Sequence, residues 1–269
     1  MFQSMQSSHT FAPRVNGLFP EFEIFFQPIV DLQHETIYAY EALCRGLQGE
    51  SYPLIVAGMQ TVARSGFDKL AMAKTLRLAA ELGLQERGAK ISLNVGPAGD
   101  AGGIDTEFVV RTAKHYGIEP TSLVLEMTED IRMNSLDLLR IIDRHRAAGM
   151  VVAIDDFGAG YAGLNVLASC TPDVLKLDRE LVMSIDSSFP RKTIVGAFVN
   201  VCKLLGVKVV AEGVETLAEC RTLRELGIDM MQGYLFAYPV LGEIPLVHIP
   251  GKASQMVALS QFGALPALN

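Results

Sequence analysis

From Phe22 onward the chain alternates short apolar runs with longer amphipathic stretches. The apolar runs are rich in Val, Ile and Leu and too short for independent helices, so they predict strands. They lie at Glu23–Val30, Ile37–Leu43, Lys90–Val95, Leu123–Met127, Val151–Ile154, Val174–Leu177, Lys208–Ala211 and Met230–Gln232. The stretches between them predict helices over Pro53–Ser65, Asp68–Leu82, Thr106–Tyr116, Ser135–Ala148, Tyr161–Ala168, Arg191–Leu205 and Leu217–Leu226. Gly66, Gly83, Gly117, Gly149, Gly206 and Gly227 follow the last periodic residues, where C-terminal caps belong. Repeated strand–helix alternation implies a parallel sheet covered on both faces.

Eight strands suggest closure into a barrel, and 269 residues suffice for one; such folds need roughly 250 residues. The gap from Leu32 to Ile37 is too short for a parallel crossover, so the first two strands should be antiparallel. The expectation is therefore an α/β fold, a modified TIM (β/α)8 barrel with an antiparallel first strand. Residues 1–20 read as a lead-in or linker, 21–250 as the domain, and 251–269 as a C-terminal helix or tail.

Composition narrows the class. Hydrophobic residues make up 49% and charged residues 20% of the chain, ordinary for a globular protein. No apolar run approaches a membrane span of ~20 residues, and the first twenty residues lack the apolar core of a signal peptide. The net charge of −7 argues against a broad DNA-binding surface. Cys44, Cys170, Cys202 and Cys220 form neither a zinc pattern nor a disulfide framework, and read as reduced thiols of a cytoplasmic protein.

The candidate chemistry lies at strand C-termini, where barrels carry it. Those ends hold Glu41, Asn94, Glu126, Asp155 with Asp156, Lys176 with Asp178, Glu212 with Glu215, and Gln232. Asp155-Asp156 is the most telling pair. Neighbouring side chains on a strand point to opposite faces, so both carboxylates reach one site only if the strand ends there and turns, and Gly158 and Gly160 would supply that turn. Adjacent carboxylates repel unless cations neutralise them. Each residue alone has a plainer reading: Asp155-Asp156 as a helix cap, Lys176 as a surface lysine, a lone Glu as a solvated loop residue. Recurrence at the same end of six or seven strands favours a site. Hard oxygen ligands in that number suit Mg²⁺ or Mn²⁺.

These residues stand in an ordered series of motifs: Gln27-Pro28-Ile29, Glu41-Ala42-Leu43 with Arg45, Ser92-Leu93-Asn94, Leu125-Glu126-Met127-Thr128-Glu129, Asp155-Asp156-Phe157-Gly158, Lys176-Leu177-Asp178, Glu212-Gly213-Val214-Glu215 and Gln232-Gly233-Tyr234. The series resembles the EAL-domain cyclic di-GMP phosphodiesterases over about residues 22–240. The resemblance implies metal-dependent hydrolysis of cyclic di-GMP to linear pGpG with two Mg²⁺ or Mn²⁺ ions. It places one metal on Glu41, Asn94, Glu126 and Asp155. Asp155 would bridge to a second metal, held also by Asp156 and Glu212. Lys176 would hold the attacking water and Glu212 is the other candidate to activate it, so Lys176, Glu212 and the metal ligand Glu41 form the catalytic set. Gln27, Arg45 and Gln232 would contact substrate, with Arg45 on phosphate. Glu129 would anchor the loop after Asp156, while Asp178 and Glu215 would support the Lys176 region. The resemblance also implies a homodimer. Ala162 and Gly163 stand where the family usually has hydroxyl residues, which predicts a differently anchored loop. Two other readings compete: an EAL-like receptor that binds without cutting, and an aldolase with Lys176 as its Schiff-base lysine. The surrounding carboxylates oppose the latter, because they raise the lysine's pKa.

Overall fold

In the computed structural model the described residues are 19–95, 106–128, 135–159, 167–168 and 170–250. Nine strands form one sheet: β1 (Phe22–Asp31), β2 (Thr36–Gly46), β3 (Lys90–Asn94), β4 (Leu123–Thr128), β5 (Val151–Phe157), β6 (Val174–Leu177), β7 (Lys208–Ala211), β8 (Met230–Met231) and β9 (Val240–Leu241). The order is β2-β3-β4-β5-β6-β7-β8-β1-β9, and β1 also pairs with β2, which closes an eight-stranded barrel. Strands β2 to β8 run parallel, whereas β1 is antiparallel to both its barrel neighbours. The expected modified TIM barrel is the fold. A tight turn makes the β1–β2 hairpin: the Asp31 carboxylate accepts hydrogen bonds from the amides of Gln33 (3.0 Å) and His34 (3.1 Å).

Seven helices are described: α1 (Tyr52–Ile55), α2 (Thr61–Glu81), α3 (Thr106–His115), α4 (Ser135–Ala147), α5 (Arg179–Val182), α6 (Phe189–Leu205) and α7 (Leu217–Glu225). The helix expected over Tyr161–Ala168 falls mostly outside the described residues, as does the tail 251–269. Gly66 does not cap a helix. Instead α2 runs through it, because the Phe19 ring lies against the helix there: an added Cβ would come within 2.8 Å of Phe19 Cζ. The glycine is kept for a close approach, and the predicted break lies earlier, between α1 and α2.

Strand alternation sorts the core into two layers. Ile91, Leu93, Leu125, Val152, Ile154, Leu175 and Leu177 face the helices in the main core. Ile29, Ala39, Val124, Ala153, Val174 and Val210 form a separate buried cluster. Each of these six stands two residues along its strand from Gln27, Glu41, Glu126, Asp155, Lys176 or Glu212. An apolar plug therefore fills the lower barrel, and the same inward face presents polar groups one layer above it.

Candidate active site

The centre of that polar layer is Lys176 on β6, only 1% exposed. Its Nζ lies 2.6 Å from Glu212 Oε1, 2.9 Å from Asp155 Oδ1, 3.0 Å from Glu126 Oε2 and 3.5 Å from Glu41 Oε2. Burial opposes the ammonium's charge, but Asp155, Glu126, Glu212 and Glu41 together outweigh it and hold the pKa well above the usual lysine value. One cation facing four carboxylates leaves the layer acidic. Burial, reinforced by neighbouring carboxylates, accordingly pushes Glu126 and Glu212 well above the ordinary glutamate range despite Lys176.

Asp155 and Asp156 meet through a different device from the expected glycine turn. β5 continues to Phe157, and its pairing with β6 shifts register between Ile154 and Phe157. This bulge carries both aspartates. Asp156 itself takes the left-handed conformation, φ 54°, which Asp tolerates better than most residues. The ladder resumes where Asp178 N donates to Phe157 O (3.1 Å). Asp155 points into the barrel and is buried, while Asp156 sits on the solvent side of the rim. Desolvation, then the Asp155 and Asp178 charges, raise Asp156 to about 6.

Two carboxylate triads result, each able to bring three ligand oxygens within 4.8 Å of one another: Glu41–Glu126–Asp155 and Asp155–Asp156–Glu212. They share Asp155. Glu126 Oε2 and Asp155 Oδ1 are buried and, though close to Lys176, have no aligned hydrogen-bond partner. Orphaned anionic oxygens in a hard-oxygen set fit divalent cations.

The remaining predicted residues divide by position. Asn94 stands at the rim of β3, its Nδ2 donating to Glu41 Oε1 (3.1 Å), which leaves Oδ1 available as a ligand. Gln27 (7% exposed) and Gln232 (4%) lie in the layer itself. Gln232 Nε2 donates to Glu41 Oε2 (2.7 Å) and Gln27 Oε1 (3.0 Å), and Gln27 Nε2 donates to Ala237 O (3.1 Å). Gln232 thus braces Glu41 from behind, and Gln27 in turn holds Gln232. Gly233 makes this possible, since a Cβ there would come 2.1 Å from Val214 O. Arg45, half-buried four residues beyond Glu41 on β2, donates to Cys44 O (3.0 Å) and pairs with no carboxylate among the described residues. Asp178 caps α5, accepting from Glu180 N (2.7 Å). Glu215 pairs with Arg179 at 2.5 Å, three residues beyond Lys176, and Arg179 also donates to Gly213 O (2.9 Å). Glu129, Ala162 and Gly163 lie outside the described residues.

Two contributors carry no role in the sequence reading. Ser92 is fully buried and its Oγ donates to Glu126 Oε1 at 2.6 Å. Its place two residues before Asn94, on the same strand face, was the available signal. Glu219 accepts from the amides of Ser184 (2.8 Å), Glu215 and Thr216 (both 3.0 Å), so it ties the α7 capping box to the loop beyond α5. The Thr216-x-x-Glu219 spacing announces that box.

A parallel barrel opened by an antiparallel strand, with an acidic layer around one lysine, defines a hard-cation site. The EAL domain family model matches residues 18–239, and the chain belongs to that family. Among curated relatives, the blue light- and temperature-regulated antirepressor BluF of Escherichia coli K12 is 34% identical over 247 residues, 90% of this chain and 59% of that protein. The cyclic di-GMP phosphodiesterase NbdA of Pseudomonas aeruginosa is 32% identical over 257 residues, 93% of this chain and 32% of the relative. The chain thus spans between a third and three fifths of these two relatives. A standalone EAL protein of Vibrio cholerae O395, solved with c-di-GMP bound, superposes with TM-score 0.78 at 33% identity, covering 87% of this chain and 98% of that one. Klebsiella pneumoniae BlrP1, solved with manganese and cy-diGMP, gives TM-score 0.75 at 33% identity, over 88% of this chain and 62% of that one.

Proposed function

We propose that this chain is a phosphodiesterase that hydrolyses cyclic di-GMP to linear 5′-pGpG, using two Mg²⁺ or Mn²⁺ ions. The observation that carries the reading is the pair of carboxylate triads sharing Asp155 around Lys176. Relatives and structural neighbours that carry a phosphodiesterase name, or that are solved with this dinucleotide, support the substrate.

In this reading Glu41, Asn94, Glu126 and Asp155 hold one cation, and Asp155, Asp156 and Glu212 the other. Bound cations supply charge neutralisation on the phosphodiester and a lowered pKa for the attacking water. The chain's own residues do the rest. Lys176 holds the water by its ammonium and favours its hydroxide form by charge. Glu212 accepts the proton released, a role its distance of 2.6 Å from that ammonium supports. Water oxygen bonds to phosphorus, the bond from phosphorus to one ribose 3′-oxygen breaks, and that oxygen leaves with a proton. Arg45 offers a planar fork to the phosphate oxygens at the mouth. Gln232 keeps Glu41 oriented, Gln27 holds Gln232, and both amides contact substrate.

The test is product chromatography after incubation with cyclic di-GMP and Mg²⁺ or Mn²⁺, beside a chelator control. Metal-dependent pGpG is expected. Ligand bound in the same sample but never cut would refute the hydrolase and favour a receptor that acts on a partner protein, a reading BluF's name as an antirepressor supports.

A homodimer and a cytoplasmic location belong to the same proposal. The four cysteines are free thiols, in keeping with that compartment. Among the described residues no helix is long and apolar enough to cross a membrane. The outer face of α6 exposes Pro190, Ile194, Ala197, Val201 and Leu204. That four-three spacing makes an apolar seam suited to a second helix, and we take a second copy of the chain as its partner.

A further inference from the structure

We propose that Ser92 is a positioning residue of the cation site: it turns Glu126 so that Oε2 alone is presented to the ion. The inference rests on the cation site of the proposed function. It adds a residue to which neither the motifs nor the carboxylate triads assign a role.

Strand β3 lies between the two strands that carry the glutamates of the first triad. Its inward face holds Ser92 and Asn94, and each donates to a different neighbour. Asn94 reaches Glu41 on β2, and Ser92 reaches Glu126 on β4. β3 is therefore a strand of neutral donors between two acidic ones. The last torsion of a glutamate is broad and nearly two-fold, so the Glu126 backbone alone does not fix which oxygen faces inward. The Ser92 bond does. At 2.6 Å it is a short bond to an ionisable acceptor, and it engages Oε1. The other oxygen, Oε2, is left buried, 3.0 Å from Lys176 and without an aligned donor. Ser92 is fully buried, so no water competes for its hydroxyl.

Without the hydroxyl, Glu126 Oε1 loses its donor in a site closed to solvent. The carboxylate then rotates toward Lys176 or Asn94, and the ligand oxygen leaves its place in the triad. Groups that orient metal ligands typically contribute 10–100-fold to metal affinity. For one hydroxyl acting on one of several ligands, roughly a tenfold loss is expected.

The experiment is Mn²⁺ binding by titration calorimetry and by electron paramagnetic resonance, with no substrate present. It compares the wild-type chain, Ser92→Ala, Glu126→Gln and the double variant. Ser92→Ala should weaken one Mn²⁺ by about tenfold while the second keeps its affinity. In the Glu126→Gln background, Ser92→Ala should have no further effect, because Ser92 acts only through that carboxylate. Unchanged Mn²⁺ affinity in Ser92→Ala, even with lowered thermal stability, would overturn the proposal. So would an equal loss in the Glu126→Gln background. Because binding is read without turnover, Mn²⁺ weakened as expected in a chain that never cuts cyclic di-GMP would sustain the role of Ser92 and refute the hydrolase alone.

Discussion

Lys176→Met tests the electrostatics of the site most directly. The side chain is 1% exposed and its ammonium lies 2.6–3.5 Å from four carboxylates. At an effective dielectric near 20, each such pair is worth about 5 kcal/mol of gross attraction. Desolvating the ammonium and crowding the carboxylates offset most of that sum. What an experiment sees is nearer the ~3–5 kcal/mol lost when one partner of a buried ion pair is removed. Methionine keeps much of the volume, so the loss should be electrostatic rather than a cavity. Urea denaturation in chelator at pH 8 should show that deficit against wild type. The sign with pH follows from the raised Glu126 and Glu212 values. A carboxylate whose folded pKa lies above its unfolded one stabilises the fold when protonated, and that contribution is lost as pH rises through the folded pKa. Acidification to pH 5.5 should therefore narrow the gap between variant and wild type. Mn²⁺ at one fixed concentration should narrow it too, because the ion stabilises each chain according to its own affinity, and the variant's carboxylates, freed of the ammonium, bind the cation more tightly. A Lys176→Met chain as stable as wild type in chelator at pH 8 would refute the reasoning. So would a deficit that neither protons nor Mn²⁺ reduce.

Two further outcomes are expected away from the lysine. His145 on α4 is buried against Thr106 Oγ1 (3.1 Å), and burial lowers its pKa from 6.5 to about 4. A depressed histidine contributes stability that is whole above pH 6.5 and lost as pH falls toward 4. Between pH 7.5 and 4.5 the fold should lose about 2.5 kcal/mol from this group, measured by denaturant titration, and His145→Gln should abolish that part of the slope; an unchanged slope contradicts the assignment. On α6, Leu204 is 88% exposed at the end of the apolar seam. Leu204→Arg should convert a dimer to a monomer in light scattering with the fold intact, and a dimer that survives the charge places the interface elsewhere.

Much of this was legible in the sequence, for a physical reason. The parallel strands carry short apolar runs bounded by polar residues, so Val174–Leu177, followed by Asp178, and Lys208–Ala211, followed by Glu212, are read to the residue. The hairpin gap after Leu32 fixes the antiparallel start by length alone. What the sequence hid depends on partners distant along the chain. Gly66 reads as a helix stop, because nothing local shows that Phe19 packs on it. The β5 bulge is invisible too: its pairing shift is a property of β5 and β6 together, and Asp156 is a residue that only sometimes accepts a left-handed backbone. Gln27 and Gln232 read as substrate contacts because both neighbour the site. Only the closed barrel brings residues 205 apart within 3.0 Å and shows that Gln232 also holds Glu41. β9 is two residues long and carries no period at all.

The fold and the chemistry make opposite demands on the same strands, and the layering reconciles them. The apolar cluster of Ile29, Ala39, Val124, Ala153, Val174 and Val210 plugs the lower barrel. One residue pair higher, the same strands carry four carboxylates and one ammonium. A buried acidic layer of this kind is costly to fold, and it holds only because neutral donors and a single cation fix every member. Asn94 and Gln232 hold Glu41, Ser92 holds Glu126, and Lys176 draws Asp155 and Glu212 together. Those contacts are all internal to the chain, so the ligand geometry is set before any ion enters, which is what preorganised electrostatic catalysis requires. A receptor that only gripped the dinucleotide would need the mouth of the barrel and Arg45, but not a lysine buried beneath the rim among unsatisfied carboxylates. The burial of Lys176, more than the presence of any one ligand, is what argues for a chain built to cut.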